Sequence, residues 1–428
     1  MKDVIQIGIL GLGVVGGGTV LALQENADAI AKKVGARVVI KKVAVRDIAR
    51  SRSVDLPPGV LTDRVEDVLD DPEIDVVCEL IGGVDPAHGY IMRALKNGKS
   101  VVTANKEMLA KAGHDLLEFA EDYHLDFLFE GSVGGGIPII HALKQSLAGN
   151  RITQIMGIVN GTTNYILTKM AREGADFDAV LKEAQAYGYA EADPTSDVEG
   201  FDAQYKTAIL ASIAFSSQVD PAQIPVEGIT KVTRKDMKMA DVLGYTVKLL
   251  GIGQCDDEGL RVRVHPALLA KGHPLASVND VYNAIFVRAD PVGDVMFYGR
   301  GAGSGPTGSA VLGDIIEICR NIVSGATGRL GCTCFNNQPL LGMSSLVTKY
   351  YVRLLTYDRP KVLASIASVF GDFDVSLESV DQRPQSSDRV DIVMLTHRTI
   401  EQNMVSALDV LAKLPTVIGV ESCIRVQD

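Results

Sequence analysis

Residues 187–206 read YGYAEADPTSDVEGFDAQYK and hold the residues best suited to chemistry. Five carboxylates (Glu191, Asp193, Asp197, Glu199 and Asp202) precede a single cation, Lys206. Pro194 and the glycines make the first half a loop, and a helical pattern sets in from about Val198. Asp202 and Lys206 are four residues apart and share one helix face. Ile209 and Ile213 continue that face, so Lys206 is expected at the edge of an apolar wall. A desolvated lysine beside carboxylates is either a buried ion pair or a tuned proton donor. The carboxylates fit a substrate ammonium, a metal ion or helix N-termini, and spacing alone does not choose among these.

The elements that must position this stretch begin at the N-terminus. Val4 to Leu10 is a short β-rich apolar run that leads into Gly11-Leu-Gly13-Val14-Val15-Gly16 and then a helical pattern. Strand, G-x-G-x-x-G and helix in this order form the dinucleotide fingerprint. Gly11 permits the tight turn. Gly13 lets pyrophosphate approach backbone N–H groups at a helix N-terminus, and Gly16 lets helix and strand pack closely. The next strand, RVVIKKVAV, ends at Val45 and is followed by Arg46 and Asp47. An acid here serves a ribose 2′-OH, whereas Arg46 suits a 2′-phosphate, so NADP is favoured and NAD stays open, as does a plain solvated charged loop.

A βαβ rhythm continues through IDVVCELIGG, KSVVTANKEMLA and LDFLFEGSVGGG, which predicts a doubly wound parallel sheet. Ligands of such sheets bind at the carboxyl ends of the strands. Gly82, Thr103 and Lys106 lie at those ends. Lys106 thus either points toward a nicotinamide crevice or is a solvated helix-start lysine. Glu130–Pro138 (EGSVGGGIP) is glycine-rich. Backbone carbonyls turned inward there could hold a hard cation, and a tight strand-to-helix turn explains the glycines equally well.

From about Lys144 the rhythm changes. ITQIMGIVN reads as a strand ending in Asn160-Gly161-Thr162-Thr163, with Thr162 or Thr163 as a helix N-cap whose small side chain is also suited to touch a substrate. Gly161 precedes it. Beyond Lys206, VEGITKVT, YTVKLLGIGQC, LRVRVHP, NAIFVRAD and DVMFYGRG predict a largely antiparallel sheet in an α+β layer. His265 and His273, each before a proline, read as structural. Residues 299–308 (GRGAGSGPTG) form a second glycine-rich turn, suited to close over the cofactor or to connect domains, before a helix expected to return to the first domain. Residues 326–347 read as a polar linker, and the tail has the βαββαβ order of a ferredoxin-like unit.

The totals set limits. A chain of 428 residues has room for two or three domains. A net charge of −11 disfavours nucleic acid and anionic membrane as partners. Six scattered cysteines fit free thiols in a reducing compartment, Cys332 and Cys334 included. The N-terminus enters a strand at once and no apolar run reaches bilayer length, so a cytoplasmic protein is expected.

Together GLGVVGGG, ELIGG, VVTANK, EGSVGGGIPII, NGTTNYI, GYAEADPTSDVEGFDAQYK and GRGAGSGPTGSAVLGD resemble homoserine dehydrogenase with a C-terminal ACT domain, over nearly the whole chain. The resemblance implies NAD(P)-dependent interconversion of L-homoserine and L-aspartate 4-semialdehyde on the path to threonine and methionine. It implies Lys206 as proton donor and Lys106 as a second crevice lysine. Glu191 and Asp202 become substrate contacts, with Asp197 close by, and Gly188 and Gly303 lie against the cofactor. A sodium or potassium ion is expected on backbone oxygens of Glu130, Val133, Gly135 and Ile137. The expected layout is a Rossmann-type domain over 1–142 completed by a helix within 305–325, a substrate and dimerisation domain over 143–304, a linker over 326–347 and an ACT domain over 348–428. A homodimer or homotetramer with L-threonine as effector is the family expectation. Lys361 departs from the pattern, because ACT domains commonly carry glycine at that step of D-x-P-G-V-L. Two other classes stay in view: a different NAD(P) enzyme acting on an amino-acid aldehyde or hydroxy amino acid, and a non-catalytic amino-acid sensor. A sensor has no need of the Lys206 cluster.

Overall fold

The computed structural model describes residues 2–427. The chain divides into two compact units, one of residues 1–159, 204–224 and 282–338, the other of residues 160–203, 225–281 and 339–428.

The first unit holds a six-stranded parallel sheet in the order Leu61–Thr62, Arg37–Ala44, Val4–Leu10, Val76–Glu79, Ser100–Thr103, Phe127–Leu128. Ile5, Ile7, Ile9, Val76 and Val102 are fully buried, as strands covered on both faces must be. The order reverses between Val4–Leu10 and Val76–Glu79, which creates the crevice where such sheets take ligands. Helix Ser304–Ser324 packs on helix Val14–Glu25. The approach is close enough to require glycine on both sides. A Cβ on Gly18 would lie 2.1 Å from the Ser304 carbonyl oxygen, and one on Gly308 would lie 2.7 Å from the Gly18 carbonyl carbon. Strands Arg151–Ile158, Tyr282–Asp290 and Gly293–Arg300 form an antiparallel layer in the same unit.

In the second unit, helices Gly161–Glu173 and Phe177–Ala186 accompany the long hairpin Tyr245–Cys255 and Leu260–Ala270. The tail has the expected βαββαβ order: Val347–Tyr357, helix Val362–Asp372, Leu377–Pro384, Arg389–Thr396, helix Glu401–Leu411, Val417–Gln427. Its last strand pairs in parallel with Leu260–Ala270 through Arg425, Val426 and Gln427, so the tail sheet and the hairpin are one sheet.

Two local expectations need correction. VEGITKVT is not a strand. Only Val226 makes a bridge, to Val264, and Ile229 N–H donates to Val198 O. The following RKDMKMADV is a helix, Arg234–Val242, opened by a capping box between Thr233 and Asp236. Asp236 also carries the buried cation of the tail. Arg353 Nε donates to Asp236 Oδ1 at 2.8 Å and Tyr351 OH donates to the same oxygen at 3.1 Å. The second correction concerns the cap after Ile158. Neither Thr162 nor Thr163 is the N-cap of helix Gly161–Glu173. Asn160 is, its side chain accepting from Thr163 N–H at 2.9 Å.

Candidate active site

The fingerprint glycines adopt the geometry their roles require. Gly11 has φ +95°, and a Cβ there would lie 2.7 Å from Leu80 O. A Cβ on Gly16 would lie 2.5 Å from Gly11 O. Gly13 faces open space, and helix Val14–Glu25 begins without a side-chain cap. The amides of its first turn are thus presented to an anion. Val15, Leu80, Ile81, Gly82, Gly83, and residues 104–107 wall a cleft of about 650 Å³. Gly303, with φ +123°, immediately precedes helix Ser304–Ser324.

Two residues at the rim were not singled out by sequence. Glu79 is fully buried and accepts from Ile81 N–H at 2.8 Å, Gly82 N–H at 3.3 Å and Thr103 Oγ1 at 2.7 Å. The Thr103 hydroxyl therefore ties two strand ends together, while Gly82 is bent by φ +79°. Asn105 caps helix Lys106–Ala112 by accepting from Met108 N–H at 3.2 Å, and donates to Gly83 O at 2.6 Å. Lys106 is the first residue of that helix, at the cleft. Beside the first strand, Arg46 is exposed, whereas Asp47 Oδ1 accepts Ala49 N–H at 2.9 Å within its own turn.

Lys206 stands on helix Phe201–Ala214 and is 7% exposed. Its ammonium donates to the Val159 carbonyl at 2.8 Å. A short helix, Thr195–Val198, precedes this one, and left-handed Gly200 separates the two. In the other unit, Asn160 draws two of the carboxylates together. Its Nδ2 donates to Asp197 Oδ1 at 2.6 Å and to Asp202 Oδ2 at 2.9 Å. Asp202 is buried, Asp197 half-buried and Glu191 exposed. Thr162 Oγ1 donates to Tyr189 O at 2.6 Å, which holds the loop of Gly188, itself at φ +73°. Gly161 opens the helix after Asn160. The signal for Asn160 was present, since asparagine before G-T-T is a strong N-cap. Its bond to Asp202, across 42 residues, left no trace in local spacing.

The glycine-rich turn at 130–137 is buried except for Gly136. Gly134 and Gly135 have φ +76° and +50°, and a Cβ on Gly135 would lie 2.5 Å from Gly301 O. The Glu130 carboxylate accepts from Ile140 N–H at 2.9 Å and His141 N–H at 2.7 Å. Only backbone oxygens of this turn are therefore suited to an ion. His141 Nε2 lies 3.2 Å from Asp314 Oδ1, and this carboxylate raises the imidazole pKa to about 9. Among the described residues no group of three or more His, Cys, Asp or Glu side chains is arranged to hold a metal ion. No helix among them is long and apolar enough to cross a membrane.

Comparison with known proteins bears on this geometry. Residues 11–130 match the family model "Homoserine dehydrogenase, NAD binding domain", residues 138–316 match "Homoserine dehydrogenase" and residues 350–416 match "ACT domain". The chain is 46% identical to a homoserine dehydrogenase of Synechocystis over 99% of both chains. It is 44% identical to that of Bacillus subtilis over 99% of this chain and 98% of the relative. The crystal structure of a homoserine dehydrogenase from Thiobacillus denitrificans, 42% identical, superposes with TM-score 0.94 over 100% of this chain and 99% of the other. A hyperthermophilic archaeal homoserine dehydrogenase in complex with NADPH gives 0.64 at 28% identity, over 74% of this chain and 98% of the other. The chain belongs to the homoserine dehydrogenase family: it is a nicotinamide-dependent oxidoreductase that interconverts L-homoserine and L-aspartate 4-semialdehyde, on the path to threonine and methionine, and it ends in an ACT domain.

Proposed function

We propose that Lys206 gives the proton to the aldehyde oxygen during reduction and takes it back during oxidation. The observation that carries this reading is a buried ammonium fixed by the Val159 carbonyl, one helical turn beyond Asp202. Bound nicotinamide supplies and accepts the hydride. As carbon gains the hydride, negative charge grows on oxygen, and a positioned ammonium both stabilises that charge and quenches it. Asn160 holds Asp197 and Asp202 as a pair. Asp202, with Glu191, receives the substrate α-ammonium through charge-assisted hydrogen bonds. Lys106 lines the crevice, and Thr162 and Gly161 are assigned to the substrate. Gly11, Gly13, Val14, Val15, Gly16, Gly82, Thr103, Gly188 and Gly303 are assigned to the cofactor. Initial rates with homoserine against other hydroxy amino acids test the substrate. Equal kcat/KM across them would remove it.

NADP is the preferred coenzyme in this reading, because Arg46 is exposed just after the second strand, where it could meet a 2′-phosphate, while Asp47 is engaged in its own turn. The relative solved with NADPH agrees. Arg46→Ala should raise KM for NADPH about tenfold or more, as loss of a charge-assisted contact of roughly 1.5–3 kcal/mol implies, and leave KM for NADH nearly unchanged. Equal effects on both would refute the assignment.

A sodium or potassium ion is assigned to the carbonyls of Glu130, Val133, Gly135 and Ile137, where buried irregular backbone meets left-handed glycines. Exchange of sodium and potassium for choline at constant ionic strength should lower the melting temperature and the rate. Indifference to the exchange would exclude the ion.

The domain layout proposed is 1–142 with a helix from 305–325, then 143–304, a linker over 326–347 and an ACT domain over 348–428. We assign a homodimer or homotetramer and threonine as effector. Lys361 has φ +72°, the conformation that glycine adopts most readily. Lys361→Gly should therefore stabilise the tail by about 1 kcal/mol and open the backbone to the effector. A threonine titration of wild type and variant reads this out. Tighter inhibition of Lys361→Gly is expected, and no response in either protein would discard threonine.

A further inference from the structure

A cluster of reactive groups outside the active site surrounds an open pocket in the first unit. Cys332 and Cys334 stand on one wall, with Lys144, His114 and Phe129. The other walls are the two helices that carry the lysines of the active site. Leu109, Ala110 and Lys111 come from helix Lys106–Ala112, and Ala208, Ile209, Ser212 and Ile213 come from helix Phe201–Ala214. The apolar wall that Ile209 and Ile213 predicted is thus the lining of this pocket. Lys111 lies over the Tyr205 ring at 5.0 Å, so the two helices also touch directly.

The two thiols are arranged as a pair. Cys334 N–H donates to Cys332 Sγ at 3.5 Å, and Cys334 Sγ reaches Ser212 O, on the Lys206 helix, at 3.9 Å. Cys332 N–H is fixed by Glu121 at 3.0 Å and Lys144 Nζ donates to Gly331 O at 3.0 Å. Both cysteines are half-buried and free. We propose that Cys332 and Cys334 form a peroxide-sensitive dithiol whose internal disulfide acts on the Lys206 and Lys106 helices and slows the enzyme.

The hydrogen bond from Cys334, with the charges of His114 and Lys144, lowers the Cys332 thiol's pKa and so favours its thiolate. The Cys332 sulfur attacks a peroxide oxygen and the O–O bond breaks. Hydroxide leaves and takes a proton from solvent, so sulfur is oxidised to sulfenic acid and peroxide reduced to water. The Cys334 sulfur then attacks that sulfur. The S–O bond breaks and a second water departs with the Cys334 proton. Two thiols and one hydrogen peroxide thus give one disulfide and two waters. A disulfide across a single residue closes a small strained ring that thiols reduce readily, as a reversible device requires. It also removes the Cys334 contact with Ser212 and redraws the wall against which the Lys206 helix rests.

Both cysteines fall in one tryptic peptide, LGCTCFNNQPLLGMSSLVTK, residues 330–349. The full-length enzyme treated with hydrogen peroxide should yield this peptide two hydrogens lighter. Its kcat should fall about tenfold or more, within the hundredfold that a misplacement of about 1 Å can cost. Dithiothreitol should restore both. Cys332→Ser and Cys334→Ser should each keep their rate under peroxide, and Cys334→Ser should trap a dimedone-reactive Cys332. Absence of the lighter peptide overturns the proposal, as does a disulfide with no change in rate or a loss of rate that persists in both serine variants.

Discussion

Lys206→Ala is expected to lose roughly 10²–10⁴-fold in kcat, the range that a positioned general acid supplies. Cofactor affinity should stay within about twofold of wild type, because the fingerprint and cleft residues belong to other elements. The split matters more than the size of the loss. A lysine that only supports packing would lower stability and raise KM together, with kcat partly retained. A proton donor lowers kcat at every substrate concentration and abolishes the limb of the pH–rate profile that its own titration controls. Lys206→Arg is the sharper control. Arginine keeps the charge but stays protonated at any working pH, so it binds substrate without delivering a proton. Turnover near wild type in either variant would end the assignment.

Arg353→Leu should destabilise the protein by about 3–5 kcal/mol, the cost of leaving a buried charge without its partner. Arg353 and Asp236 are 2% and 1% exposed, and Asp236 also caps its own helix and accepts from Tyr351. Removal of the guanidinium leaves a desolvated carboxylate on helix Arg234–Val242. The double variant Arg353→Met with Asp236→Leu should recover most of the loss, since apolar replacement of a whole buried pair is often neutral. Chemical denaturation of the single and double variants gives the comparison. A single variant within about 1 kcal/mol of wild type would mean that water or another cation replaces the arginine.

The sequence made the first sheet legible because each βα step carried its own glycine signal. The Lys206 stretch was legible because its residue types are rare in combination. Asn160, Glu79 and Asn105 escaped notice for a shared reason. Each acts through bonds to residues that come near only after folding, such as Gly83 for Asn105 and Thr103 for Glu79. Helix Arg234–Val242 was missed for a different reason. VEGITKVT has strong β propensity, and propensity outweighed Thr233-x-x-Asp236, a capping signature that was in plain sight. The thiol pair was read as ordinary because no metal-ligand spacing accompanied it. Its significance comes from the helices around it, which no spacing reveals. The resemblance to homoserine dehydrogenase, in contrast, rested on motifs spread along the chain, and family models match over the same span.

The rungs between Arg425–Gln427 and Ala267–Leu269 make the ACT tail a structural guard. Leu260 is gripped in addition by Pro339 and Leu341, so the polypeptide entering the tail also runs along that strand. A protein cut back before residue 339 would bare the edge of this almost wholly buried strand, LRVRVHPALLA, at Leu260 and at Ala267–Leu269. Such an edge recruits other chains. Deletion of the tail would therefore be expected to yield aggregate rather than a soluble truncated enzyme.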